Sequence, residues 1–298
     1  MTRSNLCRGR LEFIGLLLFK YNRKDNSLSL INITYPQGFR TDPKKVDFYS
    51  HILKKEMSMS VYLPANYNNA TSLPVLYFLH GRSGDENLLF QINADVVMDR
   101  LINDGIIKPM IIVCPRIENS RGVNSSLICR EVSDVNNRII NLGMYESYFV
   151  EEVIPLVDAT FKTVEDRRER YIGGASAGGY AALHYAFRYQ HLFSKVGGHM
   201  PALELKLEEE DVPYFENMNI WEKYNPISIA ESTHISSDVC VYLDAGDKDE
   251  GRFYEGCSIL HEILCNKGVN SKNQIFPGHH NIEYIQSHFE KYLKFYGE

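Results

Sequence analysis

The sequence predicts an α/β protein: a mostly parallel central sheet with helices on both faces and antiparallel strands at its N-terminal end. Two patterns carry this expectation. The early segments alternate polar and apolar residues with period two, as half-exposed antiparallel strands do. The later ones are near-continuous apolar runs separated by helical stretches, as in a parallel sheet covered on both faces. The length of 298 residues, with 44% hydrophobic and 23% charged residues, suits a chain that buries a sizeable core.

Residues 1–26 read as an N-terminal extension or extra strand. Arg3, Arg8 and Arg10 precede the apolar run Phe13–Phe19, as in a signal peptide, but Glu12 interrupts the approach and the basic stretch Lys20–Lys24 follows where small cleavage-site residues belong. Seven apolar residues fall well short of the roughly 20 that a membrane span needs. The expectation is a cytoplasmic protein without a membrane segment, with secretion as the alternative. No linker or repeat divides residues 27–298, which are expected to form one domain.

Within it, residues 27–35 and 57–63 alternate as antiparallel strands. The buried runs are Val75–Leu79, Met110–Cys114, Tyr171–Ile172 and Val239–Leu243. Helical spacing covers Ala94–Ile102, closed by Gly105 at the position of a C-terminal cap. It returns at Tyr145–Phe161, with Pro155 placed to bend it, and at Ala177–Arg188, Tyr254–Cys265 and Ile282–Phe295. Two excursions interrupt this order. Arg116–Gly143 is polar and rich in Asn and Ser. Leu203–Ile235 carries the acidic run Glu208–Asp211, expected to be a solvated face, and the chain's single tryptophan, Trp221, expected to touch substrate.

With 32 Lys and Arg against 38 Asp and Glu, the net charge is −6, which argues against nucleic-acid binding. None of the six cysteines forms a C-x-x-C pair, so zinc and redox motifs are not indicated, and reduced thiols are expected. Whether the chain forms homo-oligomers is left open.

The chemistry concentrates at Gly174-Ala175-Ser176-Ala177-Gly178, a G-x-S-x-G pattern between the strand-like Arg170–Ile172 and a helix. A sharp strand-to-helix turn leaves room only for small neighbours around a strained serine, and aims its hydroxyl toward a helix N-terminus. A glycine-rich turn with a chance serine is the bland alternative, and Gly173, Gly179 and the helix behind them weigh against it. Serine needs a base, and the base an orienting carboxylate, in the chain order Ser, acid, His. After Val239–Leu243, Asp249 completes a G-x-x-D turn from Gly246 and is the preferred acid. Asp247 competes with it, and Asp244 belongs to the strand. Among ten histidines only His279 and His280 fall in the last loop before the final helix. His280 is the preferred base, with His279 lining the substrate site or lying at the surface. An oxyanion hole is expected from the N–H groups of Ala177 and Arg82, with Ser83 as second choice, while His80 is expected to pack beneath that turn.

From about Val46 onward the chain resembles the esterase D-type family of α/β-hydrolases, which includes feruloyl and acetyl esterases, S-formylglutathione hydrolases and mycolyltransferases. The landmarks are Val61-Tyr62-Leu63-Pro64, Leu79-His80-Gly81, Pro109–Val113, Tyr145–Tyr148, Glu152–Pro155, Gly174–Gly179 and Pro277–His280. The resemblance implies the α/β-hydrolase fold and a serine esterase acting on small-molecule esters, with no metal and no organic cofactor. It aligns His280 with the last residue of the family's Pro-Gly-Gly-His pattern, although His279 replaces the second glycine here, and it aligns Asp249 with the family's acid. Acyl transfer from the same intermediate, and a non-catalytic binding scaffold, are the competing expectations.

Overall fold

The computed structural model describes residues 18–22, 27–34 and 43–298. Its main sheet has ten strands: β1 (Leu18–Asn22), β2 (Ser27–Thr34), β3 (Lys44–Ser50), β4 (Lys55–Tyr62), β5 (Val75–Leu79), β6 (Ile111–Pro115), β9 (Arg170–Ala175), β10 (Lys195–His199), β11 (Cys240–Gly246) and β12 (Asn270–Phe276). They lie in the order β1-β2-β3-β4-β6-β5-β9-β10-β11-β12, and β7 (Arg130–Ser133) and β8 (Ile139–Leu142) form a separate hairpin. The pairings from β1 through β4 to β6 are antiparallel, and those from β6 through β5 to β12 are parallel. The expected antiparallel start and parallel remainder are both present. Of the N-terminal extension, residues 18–22 pair as β1 against β2, and residues 1–17 and 23–26 lie outside the described residues.

Register decides where a site can form. Leu79 pairs with Gly174, Ala175 with His199, His199 with Asp244, and Gly246 with Phe276. The parallel strands therefore release residues 80, 176, 200, 247 and 277 at one edge of the sheet, the C-terminal edge where open α/β sheets bind their ligands. The helix Ala177–Arg188 buries all but its last residue against one face, with Tyr180 and Leu183 in the larger core cluster. The helix Ile282–Gly297 covers the other face through Tyr284, Phe289 and Tyr292. Among the described residues no helix is long and apolar enough to cross a membrane.

Three departures from the sequence reading have physical causes. The stretch Tyr145–Thr160 is not one bent helix: a π-helical turn, Tyr148–Val153, precedes Ile154–Thr160. Pro155 offers no N–H to the carbonyl a turn behind it, and a widened turn absorbs that mismatch. The strands β10 and β12 escape the pattern, because Lys-Val-Gly-Gly-His is short and glycine-rich and Asn-Ser-Lys-Asn-Gln-Ile-Phe is polar. β12 tolerates that polarity as an edge strand paired only with β11. The Leu203–Ile235 excursion is largely helical, and its short helix Met218–Tyr224 turns Trp221 into the core, where it is only 5% exposed.

Candidate active site

Ser176 sits between β9 and the helix Ala177–Arg188 with φ 54° and ψ −119°, a backbone conformation that non-glycine residues rarely adopt. Three backbone hydrogen bonds hold it there. Its N–H donates to the His199 carbonyl at 3.0 Å, and its own carbonyl accepts from Tyr180 and Ala202, each at 3.0 Å. The flanking glycines are required by close approach. A Cβ at Gly178 would lie 2.5 Å from the His80 carbonyl oxygen, and one at Gly174 would lie 2.6 Å from the Gly178 carbonyl carbon. Larger residues would push the elbow away from the loop after β5.

The loops after β11 and β12 bring two further groups to this serine. His280 Nε2 lies 2.8 Å from Ser176 Oγ, and His280 Nδ1 lies 2.7 Å from Asp249 Oδ2. The Asp249 side chain is fully buried, and its second oxygen accepts the Gly251 N–H at 2.9 Å. A carboxylate held this way favours the tautomer with the proton on Nδ1, which leaves Nε2 as an acceptor facing the serine hydroxyl. The Phe253 ring stands edge-on to the imidazole at 5.1 Å and limits its rotation.

The neighbouring candidates are spent elsewhere. Asp247 is exposed and accepts the Gly278 N–H at 3.0 Å, closing the β11 loop onto the β12 loop. His279 is exposed and lies outside the cleft that holds Ser176. It pairs with Glu250 at 2.8 Å, and that hydrogen bond draws the Glu250 carboxyl down to about 2. His80 is completely buried. Its Nε2 accepts the Ile117 N–H at 3.0 Å, and burial pulls its pKa down, keeping the ring neutral. Asp244 lies within β11 and faces His199.

In the loop after β5, the Ser83 N–H donates to Asn119 Oδ1 at 2.7 Å. Among the hydrogen bonds of the described residues, the N–H groups of Arg82 and Ala177 meet no protein acceptor. Both residues line the cleft over Ser176, as does His280, whereas His279 and Trp221 do not.

This cleft, of about 470 Å³, has both apolar and charged side chains in its lining. Leu88, Met200, Phe253, Ile282 and Ile285 are apolar. Arg82, Arg121, Arg138, Glu204 and Glu210 are charged and cluster through ion pairs, and the two excursions supply four of these five side chains. Arg121 is almost fully buried and grips Glu204 with both terminal nitrogens, over the face of Tyr180 at 4.8 Å. Asp211 is buried between Arg82, at 3.0 Å, and Arg121, at 3.2 Å. Glu210 bridges Arg82 and Arg138. The acidic run is thus not a solvated face, because its last two members are held by arginines distant in the sequence.

Burial, reinforced by Asp211, pushes the Glu204 carboxyl up from 4.5 to about 7, against the pull of Arg121. A carboxyl whose folded value is raised binds its proton more tightly folded than unfolded, so its contribution to stability is complete below 4.5 and is lost as pH rises toward 7. In pH-dependent melting, the wild type should lose stability relative to Glu204→Gln across that window. A constant difference between the two would show that Glu204 stays ionised throughout.

Comparison with known proteins follows the same line. A family model described as "Putative esterase" matches residues 50–296. An endo-1,4-beta-xylanase/feruloyl esterase of Xylanibacter ruminicola is 29% identical over 232 residues, covering 74% of this chain and 29% of that protein. An esterase of Mycobacterium tuberculosis is 26% identical over 253 residues, covering 74% of this chain and 52% of that protein. The chain therefore spans from under a third to about half of the length of these relatives. Among solved structures, a ferulic acid esterase superposes with a TM-score of 0.74 at 22% identity, covering 87% of this chain and 99% of the other. An S-formylglutathione hydrolase from Agrobacterium tumefaciens gives 0.71 at 18% identity, with coverages of 89% and 98%. At such identities the likeness is one of fold.

Proposed function

This chain belongs to the putative esterase family, and from that premise we propose that it cleaves carboxylic esters through an acyl intermediate on Ser176. The observation that carries the reading is the unbroken path from the Asp249 carboxylate through His280 to the Ser176 hydroxyl, at 2.7 and 2.8 Å. As Oγ attacks the ester carbonyl, His280 Nε2 takes its proton, and Asp249 stabilises the imidazolium. The carbonyl oxygen, now anionic, is received by the N–H groups of Arg82 and Ala177. Collapse of the tetrahedral intermediate breaks the bond to the alcohol, and His280 returns the proton to the departing alkoxide. Water then attacks the acyl-serine with His280 again as base, releasing the acid and restoring the serine.

The mixed lining favours an ester that carries both an apolar group and a hydrogen-bonding group. An aromatic acyl group of the kind named for the ferulic acid esterase is the first to try. The experiment is a panel of nitrophenyl and methyl esters varying in chain length and aromaticity, with products identified with and without added alcohol. The reading expects free acid as the main product under both conditions. A new ester as the main product whenever alcohol is present would mark the enzyme as an acyltransferase, and no turnover of any ester would sink the proposal.

A further inference from the structure

Beneath Ser176 lies a second histidine–carboxylate pair that the reaction above does not use. His199 and Asp244 are both completely buried, and they stand opposite each other in the register of β10 and β11. His199 Nδ1 is 2.9 Å from Asp244 Oδ1. The other carboxylate oxygen accepts from the hydroxyls of Tyr284, at 2.9 Å, and Tyr292, at 2.8 Å. His199 Nε2 meets the Tyr296 hydroxyl at 3.1 Å. Desolvation depresses the His199 pKa, so the ring is neutral, with Nδ1–H donating to Asp244 and Tyr296 donating to Nε2. Every hydrogen-bonding group of the pair is then satisfied, which a buried carboxylate requires.

The connections leading out of this pair reach all three segments that carry the reacting groups. On one side, the His199 carbonyl receives the Ser176 N–H, and the Asp244 carbonyl receives the N–H of Met200, the residue after His199, at 2.7 Å. On another, Asp244 stands five positions before Asp249 on the same strand and loop. On the third, Tyr284 occupies the first turn of the helix Ile282–Gly297, and its N–H is capped by the side chain of Asn281, the neighbour of His280, at 3.0 Å. The Tyr284 ring also presses on Gly278, where a Cβ would lie 2.6 Å from it.

We propose that Asp244 is a positioning residue, whose buried carboxylate fixes the separation of Ser176 and His280 through His199 on one side and Tyr284 on the other. This rests on the reading of Ser176 and His280 as nucleophile and base. A serine–histidine hydrogen bond tolerates little slack, since a displacement of about 1 Å can cost on the order of a hundredfold in rate. Tyr292 bonds the same carboxylate oxygen as Tyr284, but from two turns further along the helix and with no link to the His280 loop. It therefore provides the control.

The experiment measures kcat, KM and melting temperature for Tyr284→Phe, Tyr292→Phe and Ser176→Ala. Both Phe variants lose one hydroxyl from the same carboxylate, and both should melt at lower temperature than the wild type. Tyr284→Phe should lower kcat about tenfold with KM unchanged, because only the alignment of the reacting groups is loosened. Tyr292→Phe should keep the wild-type kcat. A kcat equal in the two Phe variants, or a Tyr284→Phe chain that does not fold, gives Tyr284 a structural role only and overturns the proposal. Activity surviving in Ser176→Ala is a different failure, since it removes the underlying reading and the positioning role with it.

Discussion

Ser176→Ala is expected to reduce turnover of a short-chain nitrophenyl ester by about a million-fold, the scale of loss when a serine–histidine–aspartate group loses its nucleophile. The fold should survive. The alanine keeps the backbone hydrogen bonds to His199, Tyr180 and Ala202, and the hydroxyl it removes points into the cleft rather than into the core. The residual rate comes from whatever the Arg82 and Ala177 N–H groups provide to a substrate attacked by water. Steady-state kinetics on a variant with a wild-type melting curve checks this. Retention of more than a few per cent of the rate would mean that the strained elbow serves some other purpose.

Asp249→Asn is the second large effect, expected at roughly ten-thousand-fold in kcat. The introduced amide can turn its N–H₂ toward His280 Nδ1, which then becomes the acceptor and leaves the proton on Nε2, facing the serine. The imidazole would be held in place in the wrong tautomer. Asp247→Asn should be mild by comparison, because Asp247 accepts only the Gly278 N–H and touches neither ring nitrogen of His280. His279→Gln should also be mild and His280→Gln severe, since the His279 side chain faces Glu250 outside the cleft whereas His280 Nε2 meets Ser176 Oγ. A reversed order of severity, in either pair, would move the acid or the base by the corresponding step along its loop.

The elbow and its helix were legible in the sequence because small residues at Gly174, Gly178 and Gly179 answer a local steric demand, and local demands leave local traces. Four of the parallel strands, β5, β6, β9 and β11, showed for a similar reason, as apolar runs such as Val75–Leu79 can hardly be anything but buried. The charged cluster in the cleft lining was not legible. Arg121 lies in a polar stretch, and its partner Glu204 lies 83 positions away, so nothing nearby in sequence marks either as buried. Asp211 follows three glutamates, a pattern that locally favours water, and only the arginines delivered by the fold reverse that preference. Trp221 misled for the opposite reason. A lone aromatic in a polar excursion suggested a contact with substrate, whereas a two-turn helix rotates it into the core. The pair His199 and Asp244 falls in the same class, since strand register rather than spacing brings them together.

The central claim is that an acyl group passes through Ser176, and it can be tested by trapping that group. The protein is incubated with a fluorophosphonate, or quenched in acid during turnover of a nitrophenyl ester, then digested and analysed by peptide mass spectrometry. The account expects one adduct, on the peptide containing Gly174–Gly178 and located at Ser176, and none on the same peptide of Ser176→Ala. An adduct on another residue, or steady ester turnover with Ser176 left unmodified under both treatments, would contradict it.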